Sequence, residues 1–114
     1  MGYIKHHSII VTSHFREDIK KAHEMAIYLF SEVNNDTYKF SQSIVTNIVE
    51  GLANSQYTFF ISPDGSKEGW GLSDQCDEKR AEFIKWLNEN HTSCHYVEVA
   101  FGGDDEYCEI LNHN

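Results

Sequence analysis

The middle of this chain reads Ser62-Pro63-Asp64-Gly65-Ser66-Lys67-Glu68-Gly69-Trp70-Gly71-Leu72-Ser73-Asp74, and it holds the only proline, three of the seven glycines and one of the two tryptophans. The run before it alternates with period two, and the run after it repeats apolar residues at three- and four-residue steps. The stretch must therefore join a strand to a helix. Pro63-Asp64-Gly65 supplies the turn: proline presets its own φ, and Gly65 accepts positive φ without a Cβ clash. The remainder is richer than turning requires. Ser66 and Lys67 can donate hydrogen bonds, Trp70 offers a flat apolar face, and Gly69 and Gly71 let a backbone or ligand approach closely. Two readings stand at this point, a structural loop whose tryptophan caps the core and a binding loop.

Residues 3–13 are dense in β-branched and aromatic side chains and read as an interior strand. Over residues 15–30, Ile19, Ala22, His23, Ala26, Leu29 and Phe30 form one buried helical stripe, with Ser13 as the expected cap and His23 expected to be hydrogen-bonded in the core. Asn34-Asn35-Asp36 is a turn, and Ile44, Val45, Ile48 and Val49 within residues 38–49 suggest a second strand. A third strand spans residues 56–61, with Tyr57, Phe59 and Ile61 on one face. The second helix covers residues 73–90, capped by Ser73 or Asp74. Its stripe is Cys76, Arg80, Phe83, Ile84 and Leu87, with the guanidinium expected to emerge at the edge. A strand over residues 96–101, a turn over 102–105 and a last strand over 107–111 complete the chain. The last strand pairs back as a hairpin or crosses to a second subunit. The order β-α-β-β-α-β-β in one domain, residues 1–114, points to an α+β fold: a mostly antiparallel sheet with two helices on one face, a ferredoxin-like two-layer sandwich.

The formal net charge is −9, and no lysine or arginine follows Lys85 although six acids do. Such a surface repels phosphate backbones, which argues against direct DNA or RNA binding and favours a basic partner. Nine basic residues dilute the acidity too far for nucleic-acid mimicry. Cys76, Cys94 and Cys108 are odd in number and lack metal-ligand spacing, as expected in a reducing cytoplasm. No apolar run approaches the length of a membrane span, and a soluble intracellular protein is expected.

His6-His7-Ser8 and His91-Thr92-Ser93 both fit His-x-Ser, the pattern of two-histidine phosphoesterases, in which one imidazole acts as base, the other as acid, and hydroxyls hold phosphate oxygens. The motif is short, and its second copy falls in a loop. No HExxH spacing, Walker-type loop, GxGxxG or nucleophile elbow occurs, so neither a metal site nor a cofactor is expected. Cys76 lies among Asp74, Asp77 and Glu78, which oppose a thiolate. Binding has more support: a base can stack on Trp70 while Ser66, Lys67, Arg80 and the first amides of the second helix meet a phosphate. Ser66, Lys67, Trp70 and Arg80 are accordingly the candidate ligand-binding residues.

The segment Tyr57 to Trp70, with its SPDGSKEGW core, together with Ser73-Asp74, Asp77, Arg80, residues 83–87, Val97-Glu98-Val99 and residues 7–13, resembles a family of small bacteriophage and prophage proteins. In size, acidity and strand-helix order the chain is also similar to phage counter-defence proteins, including Thoeris anti-defence sponges that hold cyclic ADP-ribose-type signals without cleaving them. The resemblance implies a non-enzymatic accessory protein in the host bacterial cytoplasm, sequestering a nucleotide-like signal and forming a homodimer or larger homo-oligomer. An acidic inhibitor docking on a host protein and a small two-histidine phosphoesterase are the alternatives.

Overall fold

A computed structural model describes residues 4–33, 41, 43–90, 92–104 and 107–114. Strand β1 (His6–Ser13) leads into helix α1 (Arg16–Phe30), strands β2 (Val49–Glu50) and β3 (Tyr57–Ile61), helix α2 (Gly71–Glu89) and strands β4 (His95–Phe101) and β5 (Glu109–His113). The strands form one sheet in the order β2-β3-β1-β4-β5, every pair antiparallel. The first four strands follow the ferredoxin-like arrangement, and β5 adds an edge beyond β4. The expected α+β two-layer sandwich is therefore the observed one.

Period-two alternation sends Ile9 and Val11 of β1, Phe59 and Ile61 of β3, and Tyr96 and Ala100 of β4 to the helix side of the sheet, where all are buried. Ile19, Ala22, Ala26 and Phe30 of α1 and Cys76, Phe83 and Leu87 of α2 close over them. His23 is partly buried: its Nε2 lies 2.9 Å from the Thr46 carbonyl oxygen, and its ring meets Phe59 edge-on at 5.2 Å.

Of the second strand expected over residues 38–49, residues 38–40 and 42 lie outside the described residues, and most of the remainder is not strand. Ile44 and Val45 are buried as an apolar segment should be, but Ser43 and Ile44 are helical, and the Val45 amide closes the turn on Ser41 O at 2.9 Å. Val45 touches the sheet through one isolated bridge to Ile61, and only Val49–Glu50 pairs as a strand. The ladder changes at Thr46, whose amide still donates to Phe60 O at 3.0 Å. Its hydroxyl takes the Phe60 amide at 2.9 Å, so a side chain fills a place that a strand would give to backbone. The Asn34-Asn35-Asp36 turn lies outside the described residues.

Helix starts also differ from expectation. Phe15 and Trp70 occupy the N-cap positions, neither with a side-chain cap bond. Ser13 instead accepts the Phe15 amide at 3.0 Å, one step before the helix, and Ser73 is buried inside α2. At the hairpin between β4 and β5, Gly103 has φ +70, and a Cβ there would fall 2.1 Å from the Ile4 carbonyl oxygen. That closeness lets Asp104 clasp the chain ahead of β1, its amide donating to Ile4 O and its carboxylate accepting the Ile4 amide, both at 2.8 Å.

Candidate ligand-binding site

The loop between β3 and α2 is organised by Asp64. Its Oδ1 accepts the Ser66 amide at 2.7 Å and the Ser66 hydroxyl, and its Oδ2 accepts Arg80 Nη1 at 3.3 Å. Arg80 is 1% exposed rather than emerging at the edge of its stripe, because Asp64 on one side and Asp77 on the other neutralise it. A buried guanidinium needs such partners, since an unpaired charge out of water is strongly unfavourable. Burial pushes the Asp64 carboxyl pKa up, but the Ser66 hydroxyl and amide together with Arg80 outweigh it and leave the group below its ordinary value. Cys76, beside this cluster, has its thiol pushed up to about 12, first by burial and then by the Asp64 charge.

A second tether holds the far end of the loop. His7 Nε2 donates to Glu68 Oε1 at 3.0 Å, tying the loop to β1. Between the tethers, residues 67–70 form a tight turn: the Trp70 amide donates to Lys67 O at 3.2 Å, and Gly69 at the third position has φ +86. That geometry is a type II turn, which requires positive φ there. The turn sets its first and last side chains next to each other, with Lys67 Nζ 5.6 Å from the centre of the Trp70 ring. Trp70 is 53% exposed, and Lys67 makes no ion pair with a described residue. As the N-cap of α2, Trp70 also stands where the first helical amides have no side-chain acceptor.

The four expected site residues thus separate into two pairs. Ser66 and Arg80 are buried and spent on Asp64, and they hold the loop. Lys67 and Trp70 face outward. Asp64 was legible only as a turn residue, and Glu68 with His7 gave no local signal, because their contact joins positions 61 apart. An open cleft of about 680 Å³ lies behind the loop, between the later half of α2 and the β4–β5 edge. Its walls carry Asp77, Glu89 and Glu98 alongside His7, Lys85 and the already neutralised Arg80.

The described parts of the two His-x-Ser segments do not converge. His91 is outside the described residues, but Ser93 Oγ lies 2.5 Å from Ser13 Oγ at the end of β1 opposite His6. The full length of β1 separates Ser13 from His6 by roughly 23 Å. Ser8, the serine of the first motif, donates its hydroxyl to Ile61 O at 2.7 Å. Among the described residues no group of three or more metal-ligating side chains occurs, and no described helix is long and apolar enough to cross a membrane.

No protein-family model matches the chain, and no curated protein matches it either.

Proposed function

We propose that this protein is a phage-encoded, non-enzymatic accessory protein that sequesters a nucleotide-derived host signal in the bacterial cytoplasm, with Lys67 and Trp70 as the contact surface. The observation that carries this reading is the exposed Trp70 indole, paired with the Lys67 ammonium at the uncapped start of α2. An indole face accepts a base by stacking. The ammonium and the free helix amides draw the anionic phosphate that accompanies it. The two tethers on Asp64 and Glu68 hold the turn in place, which lowers the ordering cost of binding.

Calorimetric titration with nucleotide monophosphates, dinucleotides and cyclic ADP-ribose-type compounds tests this. One stacked base is worth about 1–3 kcal/mol, so Trp70→Ala should weaken the binding compound by about tenfold or more. Ligand released by heating should be chemically unchanged. A panel that gives no heat with the wild-type protein counts against the proposal, and so does a cleaved product.

The net charge of −9 favours a second reading, an inhibitor that docks on a basic host protein through its acidic surface. That interaction would weaken steeply with salt and would be insensitive to Trp70→Ala.

A further inference from the structure

Among the described residues both long helices pack on one side of the sheet; the other side leaves large apolar side chains exposed, and its composition is unlike the rest of the chain. Ile10 sits at the centre, opposite Phe60 on one neighbour and Val97 on the other; Val99 lies opposite Ile110, and Phe101 opposite His6. Ile10 and Phe60 are each 42% exposed, Phe101 38% and Ile110 64%. None of the described strand positions on this face holds an aspartate, glutamate, lysine or arginine, although the chain carries a net charge of −9. The described strand acids, Glu50, Glu98 and Glu109, stand on the opposite face. A basic partner would find no carboxylate here to pair with, and an anionic membrane would be repelled by the remainder of the molecule.

We infer that this face binds a second copy of the same chain, the two sheets stacking face to face with the helices outermost. Like-charged copies repel least where their surfaces are free of charge, and the described strand positions of this face are. A two-fold contact must also be self-complementary. The large residues Ile10 and Phe60 alternate with the small Ser8, Thr12 and Thr58, which gives projections and recesses on the same surface. Four strands of five to eight residues and the two-residue β2, spaced about 4.8 Å apart, present roughly 430 Å² of projected sheet. Exposed side chains such as Phe60 and Ile110 stand above it and add to the area available toward the roughly 800 Å² per partner of a standard stable interface. Sheets so paired pack about 10 Å apart, with interdigitated side chains.

Sedimentation velocity on the full chain between about 1 and 100 μM tests the inference. The wild-type protein should sediment as a dimer. Ile10→Glu places a carboxylate from each copy in the centre of the contact and should raise the dissociation constant by at least about a hundredfold. Leu52→Glu, which adds the same charge at a fully exposed turn, should leave the dimer intact. Phe60→Lys, nearer the edge, serves as a second disrupting variant should Ile10→Glu fail to fold. A wild-type chain that is monomeric throughout overturns the inference, as does a folded Ile10→Glu or Phe60→Lys protein that dimerises like wild type. Lys67 and Trp70 are not part of this face. A monomeric Ile10→Glu protein that still binds nucleotide separates this result from that of the ligand site.

Discussion

Removing the Asp64 carboxylate should be the most destabilising single change in the loop. Asp64→Ala strips Arg80 of one of its two anions while the guanidinium stays buried, with a side chain only 2% exposed. It also orphans the Ser66 amide and hydroxyl. Breaking a buried ion pair from one side costs about 3–5 kcal/mol, and because Asp77 remains, the lower end applies, about 3 kcal/mol. Asp77→Asn should cost no more than about 1 kcal/mol, since that carboxylate is 47% exposed and water can replace much of what it gives. With a urea slope of about 1.5 kcal/mol/M, Asp64→Ala moves the unfolding midpoint down by about 2 M and Asp77→Asn by less than about 0.7 M. Arg80→Met supplies the other side of the cycle. It leaves the Asp64 carboxylate buried, and the double variant should cost far less than the two singles added, with a coupling of about 2 kcal/mol. Urea unfolding followed by far-UV circular dichroism reads all four proteins. Equal losses from Asp64→Ala and Asp77→Asn, or additive singles, would refute the burial reasoning.

Further outcomes follow from individual groups. Gly69→Ala meets no atom within 4 Å, so its cost comes only from the φ of +86. It should lose about 1 kcal/mol of stability yet weaken nucleotide binding by about tenfold, as Lys67 and Trp70 swing apart, which calorimetry and urea unfolding resolve together. A disulfide-exchange reagent should titrate one thiol rapidly in the native protein, the exposed Cys108, and Cys76 and Cys94 only after unfolding, because burial raises both of their pKa values. Asp64 and Asp18 have folded pKa values below the ordinary one, Asp64 despite its burial and Asp18 through the Ser93 hydroxyl and amide. Their stabilisation is complete above the unfolded carboxylate pKa of about 3.9 and is lost as pH falls through the lower folded values. Thermal melts should therefore show stability falling below about pH 4, with a shallower fall in Asp64→Asn.

Much of the fold was legible because two periodicities carry it. Alternation placed Tyr57, Phe59 and Ile61 on one face, and the three- and four-residue steps marked the buried stripes of both helices. The segment around Val45 was misread because apolar content says that a stretch is buried and not which hydrogen bonds it makes. There the Thr46 hydroxyl, and not a backbone carbonyl, takes the Phe60 amide. Arg80 followed the same logic in reverse. Its place on an apolar stripe was visible, but the partner that allows a guanidinium to be buried lies 16 positions earlier, inside what reads as turn chemistry. Of the candidate site, Lys67 and Trp70 stood out through residue type alone. Whether the indole capped the core or faced outward depended on Gly69 and on the distant tether from His7, which local sequence does not encode.

Native mass spectrometry of the intact protein purified from bacteria, compared with its Trp70→Ala variant, addresses the ligand-binding reading most directly. The expected spectrum shows the wild-type chain carrying an extra nucleotide-sized mass, which is shed intact on activation and is missing from the variant. Bare polypeptide in both spectra, with wild-type protein that also fails to take up any added nucleotide, would contradict it.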